Sequence, residues 1–114
     1  MITVTLYRMP DGFVRQVIAK GHAGYAQTGQ DIICAAISVI AQTTIGSLQD
    51  LAHLDIRFVL QDGHIELELP DPAGMQPEKH LIARTLTESL VIGCLQVRDS
   101  YGKQYVRVKE SKYA

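Results

Sequence analysis

The chain passes from a predicted strand to a predicted helix within residues 21–36, GHAGYAQTGQDIICAA. Three glycines lie in this stretch: Gly21, Gly24 and Gly29. Glycine adopts backbone angles that other residues resist and lets a ligand approach the chain closely. Asp31 follows as a predicted N-cap, because its carboxylate can accept amide hydrogen bonds from the first helical turn. The stretch therefore predicts a tight loop that leads into a helix running from Asp31 to about Ala52.

The first part of this predicted helix is apolar on nearly every side. Residues 32–41 read IICAAISVIA, with one serine as the only polar residue. A helix that is apolar all round is typical of a buried position, so we expect this helix to be largely enclosed by the rest of the fold.

Alternating apolar and polar residues predict strands on both sides of the helix. Residues 2–7 alternate with a period of two, and residues 13–21 are rich in strand-forming types. Residues 54–60 and 64–70 alternate again around Asp62-Gly63, which is a strong hairpin signal. These patterns predict two β-hairpins, one before the helix and one after it.

A second helix is predicted from Pro77 to about Gly102. Its apolar stripe has spacings of three or four residues, and it consists of Ile82, Leu86, Leu90, Cys94, Val97 and Tyr101. Residues 104–108 leave room for a last short strand. The predicted order is β-β-α-β-β-α-β, a mostly antiparallel sheet with two main helices on one face or both. This is an α+β fold, and we expect one domain over residues 1–114.

Composition restricts the function further. Apolar residues make up 46% of the 114 residues, and the net charge of -1 argues against a dedicated nucleic-acid-binding domain. We find no apolar run of the roughly 20 residues that a membrane span needs, and no signal-peptide pattern at the N-terminus. Two cysteines do not indicate a disulfide scaffold. We therefore expect a cytoplasmic protein with reduced thiols.

Cys34 and His22 form the candidate catalytic pair. Only the thiolate of a cysteine is nucleophilic, and a helix N-terminus or a neighbouring imidazole can promote its formation. Cys34 lies three residues after the predicted N-cap, and His22 lies in the glycine-rich loop before it. Amides at the helix start, with a loop amide, are then expected to hold the oxyanion.

Each of these residues also has an ordinary structural explanation. Free cysteines are commonly buried in the core, and we predict that Cys94, inside the second helix, is such a residue.

Asp31 is first of all a cap that could also orient His22. Ser38 lies one helical turn after Cys34 and could support it. Tyr25 could close the site or contact substrate. The other histidines are expected at the surface: His53, His64 and His80. Zinc needs more closely paired ligands than the chain offers, so neither a metal nor a cofactor is predicted.

The pattern in residues 21–36, together with Ser38, closely resembles the ribosomal-processing cysteine protease family, Prp. The resemblance spans the whole chain in length and element order, and its specific motif lies in the N-terminal half. It implies a dyad of Cys34 and His22, an α+β fold and a homodimer. From the residues themselves, we expect Asp31 and Ser38 to support the dyad, and Gly21, Gly24, Tyr25 and Gly29 to form a substrate loop.

The resemblance further implies the substrate, which is the N-terminal extension of a large-subunit ribosomal protein. Two other functions stay open on the residues alone. One is a non-catalytic, ribosome-associated module that binds a peptide or RNA, although the near-neutral charge disfavours RNA. The other is a redox sensor, which would oxidise reversibly at Cys34.

Overall fold

The computed structural model describes residues 1–27 and 31–114. Two strands come first, β1 (Ile2–Arg8) and β2 (Val14–Lys20), followed by helix α1 (Ile32–Asp50). The hairpin of β3 (Arg57–Gln61) and β4 (His64–Glu68) leads through a short 3-10 turn to helix α2 (Pro77–Tyr101) and strand β5 (Val106–Lys112). The predicted α+β order of elements is confirmed.

The five strands form one sheet in the order β3-β4-β2-β1-β5. All neighbouring pairs are antiparallel except β1 and β5, which run parallel. β4 and β5 run in the same direction, because helix α2 connects them by crossing over the sheet. β1 also runs in this direction, so its pairing with β5 is parallel. β5 is also longer than the predicted strand over residues 104–108.

Both helices pack on one face of the sheet. Cross-strand pairing places on this face a set of buried apolar residues, which includes Val4, Leu6, Val17, Leu67 and Val106. They share a single core with Ile33, Ile37, Leu48, Leu90 and Cys94 of the helices. In the part of the chain that the structure describes, no helix covers the opposite face.

Helix α1 is less enclosed than its composition predicts. Ile33, Ile37, Ala41, Ile45 and Leu48 are buried, but Ile32 and Val39 are 49% and 60% exposed. The expectation of a largely buried helix is therefore wrong, because α1 lies in a single helical layer and has α2 and the sheet on one side only.

The expectation that no segment is long and apolar enough for a membrane is also corrected. Helix α1 meets that requirement by length and composition, since its polar residues are uncharged up to Asp50. About a third of its most apolar window is buried inside this fold, and core helices of globular proteins pass the same test.

Strand β3 begins later than predicted. Residues 54–56 lie in the connection from α1, where Leu54 and Ile56 are buried, and pairing with β4 starts at Arg57. Phe58 and Leu60 point to the helical side of the sheet but remain 48% and 43% exposed, because β3 is an edge strand. The β3–β4 hairpin forms one wall of a cavity whose other wall includes α1.

Candidate active site

The N-terminus of α1 is capped by Asp31. One carboxylate oxygen accepts hydrogen bonds from the amides of Ile33 and Cys34 at 3.0 Å, and the other accepts from Tyr25 N at 3.0 Å. Burial by itself raises the pKa of Asp31, but the amides of Cys34, Tyr25, Ala26 and Ile33 outweigh it, so the pKa lies below its usual value. The predicted cap is confirmed, and it also ties the loop to the helix.

This cap removes two of the helix amides from the expected oxyanion site. The amides of Ile33 and Cys34 donate to Asp31, so they are not available to a reacting carbonyl oxygen. A helix N-terminus holds an anion through its free amides, and here the carboxylate of Asp31 already occupies these two.

The loop before α1 brings His22 and Cys34 to one place. Gly21 has a φ of +98°, and a β-carbon there would lie 2.4 Å from the carbonyl oxygen of Met1, so only glycine fits. The chain therefore turns at Gly21 and crosses the end of β1. Ala23 N then donates to Cys34 Sγ at 3.4 Å, which holds the residue after His22 against the thiol.

A cavity of about 370 Å³ lies between α1 and the β3–β4 hairpin. Five of the predicted site residues line it: Gly21, His22, Asp31, Cys34 and Ser38. Ser38 Oγ accepts a hydrogen bond from Gln42 at 2.8 Å, which leaves the hydroxyl hydrogen of Ser38 free to donate elsewhere. The structure thus joins loop and helix residues around one concave site.

The ring of His22 lies beside the β3–β4 hairpin. Its Nε2 atom lies 3.8 Å from Asp62 Oδ1, and the described residues include no hydrogen bond between His22 and Cys34. Asp31 does not orient the ring either, because its oxygens are used by backbone amides. The imidazole therefore lies in the same cavity as the thiol but is paired with the hairpin.

The environment of Cys34 raises its pKa. The largest cause is burial, and the Asp31 carboxylate acts in the same direction, whereas the hydrogen bond from Ala23 N acts against both. Cys94 is 2% exposed, and burial raises its pKa to about 12. Cys94 is a core residue, as predicted. The expectation that the helix N-terminus lowers the pKa of Cys34 is wrong, because that pKa is raised.

The predicted substrate loop is only partly at the cavity. Tyr25 packs edge-on against Tyr105 and Tyr101, with ring centroids 5.3 and 6.0 Å apart, at the junction of α2 and β5. Gly24 and Tyr25 do not line the cavity, and Gly29 lies outside the described residues. The side chain of Tyr25 thus contacts the end of α2 and the residue before β5 rather than the cavity.

The hairpin supplies residues that sequence reasoning missed. Asp62, Gly63 and His64 line the cavity, although their sequence pattern predicts only a turn and a surface histidine. Gly21 N donates to Gly63 O at 2.9 Å, which brings the turn beside the loop. The sequence contains the turn signal at Asp62-Gly63, but the place of this turn beside His22 depends on the pairing of β4 with β2.

His80, which was expected at the surface, is half-buried, with its ring 4.8 Å from that of Phe13.

Comparison with known proteins shows the family of this chain. The family model described as "Cysteine protease Prp" matches residues 1–107. The chain belongs to the cysteine protease Prp family. It is 26% identical over 110 residues to the ribosomal processing cysteine protease Prp of Bacillus subtilis, an alignment covering 95% of this chain and 96% of that protein. It is 32% identical to the Prp of Staphylococcus aureus over 92 residues, which cover 79% and 85% of the two chains.

Solved Prp structures share the fold. The S. aureus Prp with a covalently linked product peptide superposes with a TM-score of 0.84 at 22% identity, over 97% of this chain and 100% of that one. The same protein with a substrate peptide gives a TM-score of 0.79 at 21% identity with the same coverage. The resemblance to the Prp family is therefore confirmed, in sequence over most of the chain and in the fold.

Proposed function

We propose that this chain is a cysteine endopeptidase that removes the N-terminal extension of a large-subunit ribosomal protein precursor, with Cys34 as nucleophile and His22 as its proton-transfer partner. The observation that carries the proposal is the placement of both side chains in one open cavity of a Prp-family fold. The names of the relatives, which are ribosomal processing proteases, support the substrate.

The reaction follows from the groups in the cavity. His22 takes the proton of the Cys34 thiol, and the thiolate attacks the scissile carbonyl carbon. The imidazolium then gives that proton to the leaving amine as the C–N bond breaks, leaving a thioester on Cys34. Water, deprotonated by His22, hydrolyses the thioester and restores the thiol. Because burial and Asp31 raise the pKa of Cys34, the thiolate is scarce unless the imidazole accepts its proton.

Ser38 is the proposed oxyanion donor in place of the capped helix amides. It lies one helical turn after Cys34 in the same cavity, and Gln42 Nε2 holds its oxygen so that the hydroxyl hydrogen can point to a substrate. Loss of one oxyanion donor costs on the order of a hundredfold in kcat. We expect Ser38→Ala to lower kcat more than it changes KM, as measured by steady-state cleavage.

The deciding experiment compares wild type with Cys34→Ser on the precursor ribosomal protein. We expect wild type to release one defined N-terminal peptide, seen by intact mass, and Cys34→Ser to bind the precursor without cutting it. Thermal melting of both proteins checks that the variant is folded. Binding without cleavage by either protein would contradict the protease and favour a peptide-binding module.

We further propose that the protein is a cytoplasmic homodimer that acts on protein rather than nucleic acid. Two free thiols suit a reducing compartment, and the net charge of -1 offers little attraction for phosphates. Exposed apolar side chains on the helices, such as Val39 and Ile92, offer surface for a second copy. Light scattering during size-exclusion chromatography should give twice the monomer mass, and a monomer mass would contradict the dimer.

A further inference from the structure

The turn between β3 and β4 faces the ring of His22. We propose that Asp62 is a positioning residue that holds the His22 imidazole and stabilises its protonated form, so that the active unit is a triad of Cys34, His22 and Asp62. The proposal rests on the roles given above to Cys34 and His22. Its first observation is the pairing of Nε2 with Asp62 Oδ1 at 3.8 Å.

Gly63 shapes the surface on which the ring rests. A β-carbon at this position would lie 2.9 Å from His22 Nε2, and the residue has a φ of +72°. The turn therefore comes closer to the imidazole than it could with any residue other than glycine at position 63. The hydrogen bond from Gly21 N to Gly63 O, at 2.9 Å, fixes the turn to the loop that carries the histidine.

Asp62, and not Asp31, is the carboxylate available to His22. The oxygens of Asp31 accept backbone amides, whereas Asp62 has its side chain 77% exposed beside the ring. Because Nε2 is turned to Asp62, the other ring nitrogen, Nδ1, is left to serve the thiol. Ala23 N contacts Cys34 Sγ at 3.4 Å, so the backbone next to His22 lies against the sulfur.

The carboxylate acts on the thiol in two opposite ways. Through His22 it favours the imidazolium that forms when the thiol proton is transferred. Directly, its negative charge raises the pKa of Cys34 and so disfavours the thiolate. Removing the charge should therefore slow a reaction that uses His22, and should not slow it once His22 is absent. Both partners are largely exposed, so the effect is several-fold and sensitive to salt.

The test is a double-mutant cycle on alkylation of Cys34 by iodoacetamide at neutral pH. Asparagine at position 62 has the same size as aspartate and is also favoured in turns, so Asp62→Asn retains the hairpin. In the wild-type background we expect Asp62→Asn to slow alkylation about two- to fivefold at low salt, and less at about 1 M salt. In a His22→Ala background we expect the same change to leave the rate equal or raise it.

Asp55→Asn is the matched control, since it removes one exposed carboxylate from the connection between α1 and β3. We expect it to leave the rate unchanged. A purely structural effect of Asp62→Asn would slow both backgrounds alike and would overturn the proposal. A faster rate in the wild-type background would also overturn it, because the pairing would then hold the ring away from the thiol.

Cleavage of the precursor separates this proposal from the proposed function. If wild type and Asp62→Asn cut with the same kcat and KM, the triad is wrong and the Cys34–His22 protease stands. If wild type does not cut, the proposed function is wrong, and the alkylation cycle still decides whether Asp62 acts through His22.

Discussion

The two cysteines show how position decides the chemistry of one side chain. Cys34 is half-buried at a cavity, whereas Cys94 is enclosed in the core with a pKa of about 12. We predict that iodoacetamide modifies Cys34 and leaves Cys94 intact in the native protein. Peptide mapping by mass spectrometry checks this, and denatured protein, in which both thiols react, is the control.

The raised pKa of Cys34 predicts the pH dependence of the same reaction. The thiolate fraction of the free protein increases until the pH passes that pKa, which lies above its ordinary value. The alkylation rate should therefore keep rising beyond about pH 8.5, the usual pKa of a thiol. A plateau near neutral pH would contradict this and indicate a preformed thiolate–imidazolium pair.

Asp31 connects the loop to the helix through a single carboxylate. We predict that Asp31→Ala lowers the free energy of unfolding by about 1–2 kcal/mol at neutral pH, the cost of a lost N-cap. Because the pKa of Asp31 is lowered in the folded state, its contribution is complete above the unfolded value of about 3.9 and is lost as the pH falls through the folded value. Urea unfolding should therefore give free energies of unfolding for wild type and Asp31→Ala that converge as the pH falls. A difference that stays constant down to the pKa of Asp31 in the folded protein would contradict this.

At the scale of the element, two helical glycines have different surroundings. A β-carbon at Gly46 in α1 meets no atom within 4 Å, whereas one at Gly93 in α2 meets Ile40 Cδ1 at 3.2 Å. We predict that Gly46→Ala raises the free energy of unfolding by about 0.5–1 kcal/mol, because alanine favours the helix. Gly93→Ala should gain less, since it must displace Ile40. Thermal melting checks both, and an equal gain would contradict the close helix crossing.

Helix α1 also illustrates the limit of composition as a guide to burial. Its residues predicted a helix and its cap correctly, but not which side would be enclosed. Ile33 and Ile37 are buried while Val39 is exposed, because the single layer of two helices covers only one side of α1. Burial of a helix that is apolar all round depends on the number of neighbours, which a local pattern does not contain.

At the scale of the whole molecule, Arg8 joins parts of the chain that are far apart in sequence. Its guanidinium donates to Glu88 of α2 at 2.6 Å, to Glu110 of β5 at 3.0 Å and to Gly12 O at 2.8 Å. We predict that Arg8→Ala lowers the free energy of unfolding by about 1–2 kcal/mol, since charged hydrogen bonds are strong but these groups are partly exposed. Arg107→Ala, an exposed site on the uncovered sheet face, is the control and should change it by less than about 0.5 kcal/mol.

Sequence patterns alone predict the order of elements, the α+β class, the Asp31 cap and the core position of Cys94. These depend on short-range rules, namely apolar periodicity, capping and turn chemistry. The sequence also places His22, Cys34 and Ser38 near one helix start, because they lie within 17 residues of one another in the chain.

The surroundings of those side chains depend on contacts between distant parts of the chain. The pairing of β4 with β2 brings Asp62 and Gly63 to His22 across about 40 residues of sequence, and the cap occupies the amides expected to bind an oxyanion. The physical reason is that strand pairing and hydrogen-bond competition act between residues that are distant along the chain. A local sequence pattern does not predict which donors will hydrogen-bond to a carboxylate, or which turn will lie beside an imidazole.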